Sequence, residues 1–148
     1  LKLYKQVERW KKKGLSIVFT NGCFDILHYG HLSLLYKARC LGHRVVVGLN
    51  SDKSVRKLKG AGRPIINEVD RKKSLEILSF VDCVLIFDDE TPINLIKSIR
   101  PNILVKGGDY KLKDIVGIEY VDETIVFPFQ DGYSTTNIIN SIRSTNYE

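Results

Sequence analysis

The chain has 148 residues, 43% of them hydrophobic and 27% charged, which suits one ordinary globular domain with a core that needs no staples. No apolar stretch approaches the roughly 20 residues of a membrane helix and no secretory leader is visible, so a membrane partner is not expected. The net charge of +6 is gathered at 11–13, 53–59 and 71–73 without the interleaved aromatics of an RNA-binding motif, so nucleic acid is not expected either.

Leu3 to Lys13 reads as a helix with Leu3, Val7 and Trp10 on one face, stopped by Gly14. A first buried strand is predicted over Ser16–Thr20. A glycine turn follows, Asn21-Gly22-Cys23-Phe24-Asp25, and then a helix carrying Leu32, Leu35, Ala38 and Leu41, capped by Gly42. Arg44–Leu49 is the second strand and Asp52–Leu58 a short helix. A flexible basic loop comes next: Lys57 and Lys59 run into Gly60-Ala61-Gly62-Arg63-Pro64, a stretch suited to a polyphosphate. Asn67 caps the next helix, with Glu68 and Asp70 in its first turn and Leu75, Ile77 and Leu78 as its apolar face. Cys83–Phe87 is the third strand, and Thr91-Pro92 reads as a cap with proline at the first helical position. Asn102–Lys106 and Thr124–Phe127 are the fourth and fifth strands, separated by the turn Gly107-Gly108-Asp109-Tyr110. A last helix begins at Ser134-Thr135-Thr136 and carries Ile138, Ile139 and Ile142.

Strands alternating with helices imply an α/β fold: a Rossmann-like, doubly wound, five-stranded parallel sheet, with ligands beyond the strand C-termini. The expected organisation is a single domain over 1–148, with an N-terminal helix in 1–14 and the Rossmann-like core in 15–148. The chain begins at Leu1 and lacks Met, so a few residues are expected to precede it. Cys23, Cys40 and Cys83 are odd in number and form no metal-type pair, which points to a reducing compartment, the cytoplasm.

The chemistry concentrates at the first turn. His28 and His31 flank Gly30 where the helix begins, and unpaired N–H groups there attract phosphate. A lone histidine is usually a surface or core residue, and a zinc pair would need a third ligand that has no convincing place in the sequence. Two histidines around a glycine at a strand-to-helix turn read as functional. Imidazole can add a cation there. Ser134, Thr135 and Thr136 read either as a plain helix cap or as a second phosphate cradle behind Gly132. Lys106 beside Gly107 reads as a contact to an anionic substrate, and Asp25 and Asp109 as contacts to a metal or a sugar hydroxyl. The Walker A, dinucleotide and nucleophile-elbow motifs are all absent.

His28-Tyr29-Gly30-His31 after Gly22-Cys23-Phe24-Asp25, with Gly132-Tyr133-Ser134-Thr135-Thr136 near the end, resembles the His-x-Gly-His nucleotidylyltransferases of the cytidylyltransferase-like type. The stretches 104–110 and 131–139, with Asn50-Ser51-Asp52 followed by Leu58-Lys59-Gly60 and Arg63-Pro64, resemble the D-glycero-β-D-manno-heptose 1-phosphate adenylyltransferases within it. The resemblance implies transfer of AMP from ATP to the heptose 1-phosphate, giving ADP-heptose and pyrophosphate for the lipopolysaccharide inner core. Magnesium would be carried by the triphosphate and not held by the protein directly, and a homodimer is implied. In bifunctional relatives a sugar-kinase domain precedes this one, so 148 residues look like a stand-alone transferase or an excised domain.

By the same resemblance His28, His31 and Lys59 are catalytic, while Cys23, Phe24, Asp131, Gly132, Ser134, Thr135 and Thr136 bind nucleotide with the two histidines. Asp25, Lys57, Lys106, Gly107, Asp109 and Arg71 would contact the sugar phosphate or the remaining phosphates. Glycerol-3-phosphate cytidylyltransferases carry arginine where this chain has Phe129, which argues against that branch. Transfer to another sugar or polyol phosphate, with CTP or GTP as donor, is the alternative enzyme reading. A nucleotide-sensing protein without chemistry is the non-enzymatic one.

Overall fold

The continuous apolar runs become five parallel strands, because a strand covered on both faces has no polar side to present. In a computed structural model, which describes residues 2–129 and 132–144, these are β1 (Ile17–Gly22), β2 (Arg44–Asn50), β3 (Cys83–Phe87), β4 (Ile103–Gly107) and β5 (Glu123–Phe127). The helices are α1 (Lys2–Lys12), α2 (Tyr29–Leu41), α3 (Asp52–Lys59), α4 (Glu68–Glu76), α5 (Ile93–Ile99) and α6 (Thr135–Ser144). The strand order is β3-β2-β1-β4-β5, every pair parallel. The chain winds outward from β1 to β3, then crosses to the other side of β1 for β4 and β5. The switch point between β1 and β4 is where such sheets open a crevice.

Alternation along the strands divides the core. Ile17 and Phe19 of β1 face the side covered by Val7 of α1 and by Leu95, Ile96 and Ile99 of α5. Val18 faces the other side, with Leu35 and Ala38 of α2 and Leu75 of α4. No helix among the described residues is long and apolar enough to cross a membrane.

Several local expectations are corrected. β1 runs two residues past Thr20, pairing Asn21 with Gly48 and Gly22 with Leu49, so the following turn leaves from the sheet edge. Gly42 does cap α2, though in extended backbone with φ −160°. Glycine fits there because a Cβ would lie 2.6 Å from Val18 Cγ2. Pro92, not Thr91, occupies the cap of α5, without a side-chain bond. Ile77 is 83% exposed because α4 ends one residue before it. The β4–β5 crossover holds no α-helix, only two 3-10 turns at Leu112–Asp114 and Ile118–Tyr120, with Ile115 buried between them.

Packing at the sheet centre is tight enough to test. A Cβ on Gly48 would come within 2.7 Å of Phe19 Cζ and 3.1 Å of Leu95 Cδ2. Gly48→Ala is therefore expected to cost about 1–3 kcal/mol by overpacking, read as a lower urea midpoint at unchanged slope. An unchanged midpoint would show that these side chains have room to move.

Candidate active site

The turn after β1 is shaped by an aromatic residue in an uncommon backbone state. Phe24 has φ +46°, and its ring is buried and packs 5.1 Å from the ring of His31. His28 then caps α2: its Nδ1 accepts from the Gly30 N–H at 3.1 Å, while His31 Nδ1 accepts from the His28 N–H at 3.4 Å. This is a capping box built from two imidazoles, with the rings stacked 3.8 Å apart. Since Nδ1 is the acceptor in each, the neutral rings carry their proton on Nε2. Burial lowers the pKa of His28. Burial and the neighbouring His28 lower that of His31 to about 4, against smaller opposing pulls from the Ile26 backbone and Asp25. The expected cation is thus two neutral N–H donors in the free protein.

The start of α6 meets this turn. Thr135 Oγ1 donates to the Ile26 carbonyl at 3.2 Å, the Tyr133 ring lies 6.4 Å from that of His28, and Ser134 caps the helix by accepting from the Asn137 N–H. A Cβ on Gly30 would stand 2.9 Å from His28 Cε1 and 3.2 Å from Tyr133 Cβ, so glycine permits this closeness as well as approach by a ligand. Between the two helix starts opens a cleft of about 620 Å³ above the β1–β4 switch point.

Of the residues singled out in the sequence, Cys23, Phe24, Asp25, His28, His31, Lys59, Lys106, Gly107, Ser134, Thr135 and Thr136 line this cleft. Gly132, Asp109, Lys57 and Arg71 do not. Asp131 lies outside the described residues. Arg71 is corrected most clearly. It is 1% exposed, donates to the carbonyls of Ile66, Cys23 and Asn50, and pairs with Asp52 at 2.8 Å. It ties the turn after β1 to the start of α4, and it is buried away from the cleft lining where a sugar phosphate would sit.

Asp25 is corrected too. Its buried carboxylate accepts from Arg63 and from the N–H groups of Ile65 and Ile66. Burial alone would raise its pKa; these bonds outweigh burial and hold it below the usual value. The carboxylate is filled by protein donors and is not free for a metal or sugar hydroxyl. The Cys23 thiol is raised by burial, against the pull of Lys59, Arg71 and Arg63, so it is not a ready nucleophile.

Lys106 sits at the end of β4. Its Nζ donates to Asn21 Oδ1 at 3.1 Å and lies 5.5 Å from the Tyr110 ring centre, and burial lowers its pKa. Asn21 and Lys37 also line the cleft, and the sequence assigns neither a role. Asn21 opens the glycine turn beside more distinctive residues, and Lys37 looks like a solvated helix position. Glu90, Thr91 and Pro92 add the turn after β3, missed because Thr91 was assigned to a cap.

The sequence matches the family model described as Cytidylyltransferase-like over residues 19–145. It is 56% identical over 135 residues to the "Bifunctional protein HldE" of Campylobacter fetus subsp. fetus, covering 91% of this chain and 30% of that protein. Against the protein of the same name from Helicobacter pylori (strain Shi470) it is 52% identical over 145 residues, 98% of this chain and 31% of that one. The chain thus spans about a third of the length of these curated relatives. The crystal structure of the lipopolysaccharide core biosynthesis protein from Thermoplasma volcanium superposes with a TM-score of 0.66 at 26% identity, over 82% of this chain and all of that one.

The capping box fixes a pH dependence. A His31 pKa lowered from 6.5 to about 4 means that the unfolded chain binds the extra proton first as pH falls. The stability contributed by this neutral ring is complete above about pH 6.5 and is lost progressively toward pH 4. NMR titration of the imidazole signals should place the His31 midpoint near 4. A midpoint at or above 6 would contradict the half-buried, stacked geometry.

Proposed function

The chain belongs to the cytidylyltransferase-like family, and on that premise we propose that it is a nucleotidyltransferase moving AMP from ATP to D-glycero-β-D-manno-heptose 1-phosphate. The products are ADP-heptose and pyrophosphate, for assembly of the lipopolysaccharide inner core. The observation that carries this reading is the stacked pair His28 and His31 at the start of α2, facing the start of α6 across one cleft. Motif similarity to the heptose branch, and relatives above 50% identity across almost the whole chain, support the choice of acceptor. Residues 1–148 would act as one transferase domain, working in the cytoplasm.

In this mechanism an oxygen of the sugar phosphate attacks the α-phosphorus of ATP in line. One O–P bond forms while the bond from the α-phosphorus to the bridging oxygen breaks, and pyrophosphate leaves with that electron pair. The protein aligns the two anions and stabilises charge that grows in the transition state. His28 and His31 would donate from Nε2 to the α-phosphate, reinforced by the N-terminus of the 13-residue α2. Lys59 would hold the triphosphate and Lys106, steadied by Asn21, the sugar phosphate. Magnesium enters on the nucleotide as part of the substrate. Among the described residues no three of His, Cys, Asp and Glu converge on one point, and the carboxylate of Asp25 is filled by protein donors.

Pyrophosphate release measured with four nucleotides against several sugar phosphates tests the reading. Release is expected only with ATP and the heptose 1-phosphate together; turnover with CTP and glycerol 3-phosphate but none with the heptose would sink it. His31→Ala is expected to lower kcat by roughly 3–4 kcal/mol of barrier, several hundredfold, the usual cost of losing a donor to developing negative charge. Near-normal turnover in that variant would leave the ring with capping alone.

A further inference from the structure

Two arginines hold the segment between α3 and α4, and they differ in what they leave unfilled. Arg71 spends its guanidinium on three carbonyls and on Asp52. Arg63 gives only its Nε–H, to Asp25 Oδ2 at 2.8 Å. Its side chain is just 14% exposed and lines the cleft, yet among the described residues neither terminal nitrogen has a protein partner.

Asp25 is what sets this guanidinium in place. Its fully buried carboxylate also takes the Ile65 N–H at 2.9 Å and the Ile66 N–H at 2.8 Å, so Arg63 is fixed both through its side chain and through the backbone after it. Lys59 lines the same wall and has no carboxylate partner among the described residues. Between the two cations, Gly60 (φ +91°) and Gly62 (φ +85°) turn the chain through open space, and Lys59 and Arg63 on either side of them both line the cleft. Both charges act on the Cys23 thiol, at the root of the turn that carries the histidines.

We propose that Arg63 binds substrate, its two terminal nitrogens taking the β- and γ-phosphates of the nucleotide beside Lys59, with Asp25 as the residue that positions it. A guanidinium fork matches two phosphate oxygens, and one held by its Nε needs no rearrangement to receive them. The assignment rests on the reading of the cleft as a nucleotidyl-transfer site and extends it to the leaving pyrophosphate.

Calorimetric titration of the full chain with magnesium pyrophosphate and with magnesium ATP tests it. Arg63→Gln is expected to weaken both ligands tenfold or more, and Arg63→Lys, which keeps charge but loses the fork, less. Asp25→Asn should weaken them to a similar degree as Arg63→Gln. The double variant should be no weaker than Arg63→Gln alone, because Asp25 acts through Arg63. Pyrophosphate binding needs no acceptor, so failure of the heptose as acceptor would leave this result standing, and the reverse also holds. If urea unfolding shows that Asp25→Asn is not folded, the two Arg63 variants decide. Unchanged pyrophosphate affinity in Arg63→Gln overturns the proposal, as does additive loss in the double variant, or a wild-type chain that binds no pyrophosphate.

Discussion

The start of α2 keeps its double imidazole cap only while both rings stay unprotonated. His28 Nδ1 and His31 Nδ1 each accept a backbone N–H, and a proton on either nitrogen would break that bond. Stacking at 3.8 Å imposes the same condition, since two imidazoliums at that spacing would repel. Burial adds a third push toward neutrality. The caps, the helix start and the proton on each Nε2 therefore form one unit. The closeness of Tyr133 and the bond from Thr135 to Ile26 bring the start of α6 to that unit.

Neutral donors at the centre leave the cations to the flanks. Lys59 and Arg63 line the cleft on the β2 side of β1, and Lys106 stands at the end of β4 on the other side. Two anionic ligands meeting above β1 would each find positive charge at their far ends, and hydrogen-bond donors where they join. A cationic pair at the junction would instead bind the ground-state phosphates strongly at the point where binding should grow only as the reaction proceeds. The strand order makes this division available, because the switch point puts neighbouring loops on opposite sides of one crevice.

The strands were legible because burial on both faces leaves a continuous apolar run. The histidine turn was legible because its glycine, its spacing and its place after a strand agree. The β4–β5 crossover was not, since 3-10 turns carry no long helical period. Charged residues were the hardest to sort. Asp25, Arg63 and Arg71 have equal standing as letters, but the fold fills the carboxylate of Asp25, spends Arg71 on carbonyls and, among the described residues, gives the terminal nitrogens of Arg63 no protein partner. Motif resemblance placed Arg71 at a basic position without telling which way it faces. Burial and bond inventory are tertiary properties, and Asn21 and Lys37 were missed for the same reason.

Phe24 shows what holds the turn together. A left-handed aromatic residue costs on the order of 1–3 kcal/mol and persists only where its surroundings over-determine it. Three attachments do so here. The ring is buried against His31, the carbonyl before it accepts from Arg71, and the carboxylate after it takes Arg63 with two backbone N–H groups. Each arises in a different part of the chain, so the turn is fixed by α2, by α4 and by the basic loop together. Charge-assisted bonds contribute roughly 1.5–3 kcal/mol each, which is enough to offset the strain. The bonds to Asp25 that help to hold Phe24 in this state also place Arg63, so the position of that guanidinium and the strain of the turn have a common cause.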